Sequence, residues 1–188
     1  MRKGILMAAL LLLVACSSTG DKRYYQLPIG TDAAPLLASP RAATSHLWLS
    51  RINLSDYLAG NGVVYQTSDV QYVTAGNNLW ASPLEQQLQQ AMLANLNNAL
   101  PGTLVSASQA PGEQDQLEVD VTGFHGRYDG KVVIRGEWRL THNGTVSRFP
   151  INMILTQDKD GYDALVRTLA QGWQQVCQHI AKQITAMG

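Results

Sequence analysis

The stretch QLEVDVTGFHGRYDGKVVIRGEWRLTHNGTVSRFPINMILT, residues 116–156, decides the fold. It holds two hairpin dipeptides, Asp129-Gly130 and Asn143-Gly144. Such pairs adopt the positive φ values that tight β-hairpin turns need. Taking each as the centre of a two-residue loop sets the pairing. In the first hairpin Arg127 faces Val132, His125 faces Ile134, Gly123 faces Gly136, Val121 faces Trp138 and Val119 faces Leu140. In the second, Trp138 faces Phe149, Gly136 faces Ile151, Ile134 faces Met153 and Val132 faces Leu155. Both turns place large apolar residues on one face, and a slip of one residue in either would scatter them. The expectation is a three-stranded antiparallel meander with one buried face. The opposite face carries Asp120 across from Arg139 and Thr122 across from Glu137, and an apolar group of Phe124, Val133 and Ile154 beside Gly126 and Tyr128. Gly123 beside Gly136 leaves a bare spot where a helix can approach, and Pro150 points the third strand to a sheet edge or a bulge.

Two helices flank this stretch. The first has Ser82 as N-cap, Pro83 at the first helical position and Glu85 closing a capping box. Leu84, Leu88, Ala91, Met92, Asn95, Leu96 and Ala99 repeat at helical spacing, glutamines 86, 87, 89 and 90 cover the other face, and Pro101-Gly102 stops it. The second is expected from about Tyr162 to Met187, with Asp160 as its cap. Its stripe is Tyr162, Leu165, Val166, Leu169, Trp173, Val176, Cys177, Ile180 and Ile184. Upstream, strands are expected over residues 24–28, 47–54 (Leu47, Leu49 and Ile52 inward), 63–66, 70–73 and 104–108. Residues 30–45, rich in Pro, Ala, Ser and Thr, read as a linker. The fold class that follows is α+β, a two-layer sandwich of a mostly antiparallel sheet with two amphipathic helices on one face.

The first fifteen residues have another purpose. Arg2 and Lys3 precede an apolar run from Ile5 to Val14, too short to span a bilayer but suited to a secretory signal peptide. Leu13-Val14-Ala15-Cys16 resembles the lipobox of bacterial lipoproteins. The resemblance implies cleavage after Ala15 and a diacylglycerol and N-acyl lipid on Cys16. Ser17 and Ser18 stand where an inner-membrane retention signal places Asp, which implies the periplasmic face of the outer membrane. The organisation is then a signal peptide over residues 1–15, a lipidated tether over 16–23 and one domain over 24–188.

Composition excludes several classes. The chain has 188 residues with 14 Lys and Arg against 14 Asp and Glu, and no basic run, so nucleic acid is not an expected partner. Cys16 and Cys177 are the two cysteines. With the first acylated, the second has no partner for a bridge and reads as a buried core thiol. No phosphate-binding loop, nucleophile elbow, HExxH or paired cysteine motif occurs. His46, His142 and His179 are scattered. Residues 124–130 gather His125, Arg127, Tyr128 and Asp129, yet no nucleophile or metal partner is spaced to join them.

Contact with a partner is the better use of these segments. The group of Phe124, Val133 and Ile154 with Tyr128 reads as an exposed apolar patch, unless residues 24–27 or the linker cover it. The segment Tyr57-Leu58-Ala59-Gly60-Asn61-Gly62-Val63-Val64-Tyr65 mixes aromatics with glycines. Tyr57, Leu58 and Tyr65 either meet a partner or, for the last two, tuck into the core.

Residues 57–67 and Leu79-Trp80-Ala81-Ser82-Pro83-Leu84 resemble the ABC-type transport auxiliary lipoproteins, and residues 124–131 and Gly136-Glu137-Trp138 fit the same family. The resemblance covers essentially the whole mature chain. It implies a non-enzymatic lipoprotein at the outer-membrane end of a mammalian-cell-entry (MCE) type phospholipid transport system, docking a periplasm-spanning tube of MCE domains. No cofactor is implied beyond the lipid on Cys16. A tube with rotational symmetry favours a homo-oligomeric ring as its partner. A periplasmic lipid-binding shuttle is the alternative, and an envelope hydrolase a remoter one.

Overall fold

The computed structural model describes residues 20–29 and 43–187. The signal peptide, Cys16 with residues 17–19 of the tether, and residues 30–42 of the linker lie outside the described residues. The chain forms an α+β sandwich, and the strands make one eight-stranded sheet. In chain order they are β1 (Arg23–Tyr25), β2 (Ser45–Leu54), β3 (Gly62–Gln66), β4 (Tyr72–Trp80), β5 (Thr103–Ser106), β6 (Asp115–Arg127), β7 (Lys131–His142) and β8 (Thr145–Thr156). The helices are α1 (Leu84–Ala99) and α2 (Tyr162–Met187), and a short 3-10 helix spans Asp56–Leu58.

β6 is the spine. Antiparallel β7 covers one of its edges, and β8 adds to β7. Along the other edge β2 pairs in parallel from Asp115 to Val121, and β3 resumes in parallel at Gly126 and Arg127. The 3-10 helix bridges the gap between β2 and β3. β5 extends the sheet beyond β2, while β4 and then β1 extend it beyond β3. The antiparallel meander β6-β7-β8 holds more paired residues than the parallel ladders together. Among the described residues β8 has no partner on its far side, so Pro150 sits on an edge strand, where a missing N–H costs least.

The second hairpin has the expected register throughout, with Trp138 opposite Phe149 and Ile134 opposite Met153. Asn143 at φ 48° and Gly144 at φ 74° form the two-residue turn. The first hairpin differs twice. Arg127 pairs with Lys131, so the loop has three residues, Tyr128, Asp129 and Gly130, with Gly130 left-handed at φ 74°. A β-bulge between Val121 and Gly123 then adds a second slip. Beyond the bulge Val121 faces Gly136, Val119 faces Trp138 and Leu117 faces Leu140. Two one-residue slips return the side chains to the face the sequence assigns, so Leu117, Val119 and Val121 are buried as expected. Between turn and bulge only one slip applies, and the faces are exchanged. Phe124 therefore shares a row with Ile134 and is 1% exposed in the core, while His125 shares one with Val133. The expected pairing of Gly123 with Gly136 is lost. Gly136 instead lies against the bulge, where a Cβ would collide with the carbonyl oxygen of Asp120.

Both helices cover the face that holds Phe124. A Cβ on Gly172 of α2 would come within 2.6 Å of Ile134 Cδ1, so the helix rests directly on β7. The Trp173 indole donates to the Leu88 carbonyl at 3.1 Å, tying α2 to α1, and its ring meets Phe124 edge-on at 6.1 Å. Cys177 is buried on the same stripe, and burial raises its thiol pKa well above the usual range.

The start of α1 departs from the expected capping box. The helix begins at Leu84, Pro83 is its N-cap, and no side chain caps it. Gln87, placed by periodicity on the polar face, is buried instead. Its amide donates to the Ser82 carbonyl at 2.8 Å and accepts the Leu27 N–H at 2.8 Å. That clamp holds the segment after β1 against the helix, a long-range task that helical periodicity does not reveal.

Candidate functional site

The sheet face opposite the helices is divided at the bulge. On the side of the Asn143-Gly144 turn it is charged. Arg139 bonds Asp120 at 2.7 Å and Glu118 at 3.2 Å, Arg51 reaches Glu118 at 3.0 Å, and Arg148 reaches Glu137 at 2.6 Å. Arg139 thus meets Asp120 diagonally, because Asp120 stands opposite Glu137 and Thr122 lies in the bulge.

On the other side the face is aromatic. The Tyr57 and Tyr72 rings lie 5.2 Å apart, and His125 sits edge-on to Tyr72 at 5.0 Å. Tyr57 comes from the 3-10 helix and is held by the bulge itself: its hydroxyl donates to the Thr122 carbonyl at 2.8 Å. Burial, with a contribution from Tyr72, pushes the Tyr57 pKa up to about 12. His125 is buried, with Nδ1 2.9 Å from its neighbour's carbonyl at Gly126. Burial lowers its pKa, helped by Arg135 and Arg127 and opposed by the hydrogen bond to the Gly126 carbonyl. Val133 and Ile154 continue the row from His125 across β7 and β8. Tyr57, Tyr72 and Ile154 are each between 37% and 45% exposed, so the cluster opens to solvent.

The structure sorts the sequence candidates. Tyr57 and Ile154 lie on this patch and are exposed, and Val133 is a buried part of its floor. Tyr128 is exposed at the first turn. Tyr65 is half-buried and faces α2, where a Cβ on Gly126 would meet both its ring and Leu165. With Tyr128, Tyr162 and Leu165 it lines a groove of about 320 Å³. Phe124 and Leu58 are corrections, for both are 1% exposed within the core. Phe124 turns inward because of the first hairpin's three-residue loop, and Leu58 is drawn in by the 3-10 turn. Tyr72 and His125 take Phe124's place on the outer face. The aromatic at 72 was visible in the sequence, but its meeting with Tyr57 depends on the parallel docking of β3 on β6.

Other chemistry is sparse. Asp129 bonds Arg127 at 2.7 Å and Lys131 at 3.3 Å, and the Arg127 hydrogen bond holds its carboxyl far below the usual range. His142 pairs with Asp115 at 2.7 Å across the strand ends. Among the described residues no group of three or more His, Cys, Asp or Glu side chains is placed to hold a metal ion. No described helix is long and apolar enough to cross a membrane.

Comparison with known proteins agrees with this architecture. Residues 25–181 match the model of the ABC-type transport auxiliary lipoprotein component. The chain is 48% identical over 185 residues to the intermembrane transport lipoprotein PqiC of Escherichia coli (strain K12), covering 98% of each chain, and equally to that of Shigella flexneri. A crystal structure of an uncharacterized protein superposes with a TM-score of 0.78 at 52% identity over 88% of this chain and 99% of that one. A Xanthomonas campestris protein, 14% identical, shares the fold alone, with a TM-score of 0.64 over 88% of this chain and 100% of its own. The chain belongs to the ABC-type transport auxiliary lipoprotein family. Within it, the chain is similar over nearly its whole length to PqiC, and these relatives are named as transport lipoproteins rather than enzymes.

Proposed function

We propose that this protein is the outer-membrane component of an MCE-type intermembrane phospholipid transport system. Cys16 carries the lipid that anchors it at the periplasmic face, and the folded domain docks the periplasmic MCE tube without catalysing a reaction. The observation that carries the docking role is the aromatic half of the outer sheet face. Tyr57, Tyr72 and Ile154 form an exposed apolar cluster beside the sheet, bounded by an ion-paired half. Such a patch suits a protein contact better than solvent. Tyr65 and Tyr128 lie apart from it, along the groove beside α2.

A tube of rotational symmetry is matched by a ring of identical docking domains, so the domain assembles as a homo-oligomer around the tube's end. The shuttle alternative needs an apolar interior with room for an acyl chain. Between sheet and helices that space holds Phe124, Trp138 and Trp173, each 1% exposed, which favours docking.

Photo-crosslinkers at Tyr57, Tyr72 and Ile154, with Val146 on the far turn as control, test the role in intact cells. Capture of the MCE tube protein from the first three and not from the fourth is expected. Equal capture from all four, or none of the tube from any, overturns it. Native mass spectrometry of the detergent-solubilised lipoprotein tests the ring, and a strictly monomeric species at high concentration refutes that part.

A further inference from the structure

We infer that the β3-β4 hairpin is a second membrane contact, whose tip rests in the lipid interface beside the acyl anchor. This inference rests on the lipid-anchored reading above. The direction of the tether carries it. β1 runs parallel to the end of β4, with Arg23 opposite Asn78 and Tyr25 opposite Trp80. Before β1 the chain stays beside β4 without keeping its residue-for-residue register, for a Cβ on Gly20 would stand 3.0 Å from the Asn77 side-chain amide. Traced backward, the polypeptide is therefore heading along β4 toward its start at Tyr72 and the turn at residues 67–71. Four residues separate Gly20 from Cys16, which limits the lipidated sulfur to about 14 Å from Gly20. The strand from Asn77 to Tyr72 is about 17 Å long. A segment extended along β4 would therefore bring Cys16 to within about 3 Å of the level of the hairpin's end.

The side chains at that end fit an interface. Val70 is 81% exposed, and Val73 and the nearby turn residue Tyr128 are about half exposed. The register places the Asp129-Gly130 turn at this same end, because Gln66 at the close of β3 pairs with Arg127 at the close of β6. Large apolar side chains left in water cost burial energy that a bilayer surface returns, and tyrosine suits the headgroup level. Asp69 in the turn is exposed and charged, which keeps the tip at headgroup depth rather than in the hydrocarbon. From Tyr72 to Asn77 the outer edge of β4 has no strand partner among the described residues. The tip adjoins the aromatic patch at Tyr72, so the membrane and the tube are offered neighbouring parts of the surface.

The test uses the full lipidated protein in phosphatidylethanolamine and phosphatidylglycerol vesicles. Val70→Cys and, as control at the opposite end of the sheet, Val146→Cys are each labelled with an environment-sensitive fluorophore; Cys177 is buried and does not compete. Flotation with the vesicles reports the anchor, and quenching by spin-labelled lipid reports the hairpin. Flotation with several-fold stronger quenching at residue 70 than at 146 is expected. Flotation with equal, weak quenching at both positions overturns the hairpin contact and leaves the anchor standing. Label self-quenching at residue 70 that vanishes on dilution into excess lipid assigns the tip to a second copy of the chain and also overturns it. Failure to float refutes the anchored reading and this inference with it.

Discussion

The two hairpins of the meander begin from nearly the same signal and end differently. Asn143-Gly144 closes a two-residue turn, and every pair from His142↔Thr145 onward follows from it. Asp129-Gly130 closes a three-residue loop in which Gly130 alone is left-handed, and the strand before it contains a bulge. The difference lies at the far edge of β6. There β2 and β3 pair one after the other, and the bulge falls where one leaves off and the other begins. It turns the Thr122 carbonyl toward Tyr57 and confines the exchange of faces made by the three-residue loop, which sends Phe124 into the core and His125 to the outer face, to the segment between turn and bulge. A turn dipeptide therefore specifies a hairpin, while the register at a distance is set by whatever else the strand must pair with. The candidate docking patch owes its existence to that second constraint.

The comparison can be broken most severely at Gly136. Its Cβ would enter the Asp120 carbonyl, so Gly136→Val forces the bulge apart and should cost about 4–5 kcal/mol, at the upper end for single substitutions. A urea midpoint unchanged from the parent would show that the bulge is dispensable. Phe124→Ala comes next, at about 3–4 kcal/mol for a large aromatic removed from a closed core, against less than about 1 kcal/mol for Ile154→Ala on the outer face. Equal losses at the two positions would mean that the faces are not exchanged as described.

Tyr57→Phe keeps the ring but removes the bond to Thr122, with an expected loss of about 1 kcal/mol. Its effect on crosslinking from Tyr72 would show whether the bulge positions the patch. The smallest effect is that of pH on His125. Its pKa is lowered in the folded state, so the unfolded chain binds the proton first on acidification. The stabilisation is present above the unfolded value of about 6.5 and is lost as pH falls below it. Thermal unfolding between about pH 7.5 and pH 5 should slope less in His125→Gln than in the parent. Tyr57 has the opposite sense. Its raised pKa gives stability that is present below about pH 10 and lost as pH rises toward about 12.

Sequence by itself determined the periodic elements, because 3.6-residue and alternating patterns are local. The last helix runs from Tyr162 to Met187 as its stripe predicts, and the second hairpin's register followed from two residues with positive φ. The inward set of Leu47, Leu49 and Ile52 was also legible, although a bulge after Leu49 is what permits its spacing. Tertiary structure alone decided the parallel pairings of β2 and β3 with β6, the clamp by Gln87, and which of Phe124 and His125 faces out. Each depends on a contact between residues far apart in the chain, and no local pattern encodes which partner a backbone carbonyl or a buried amide will meet.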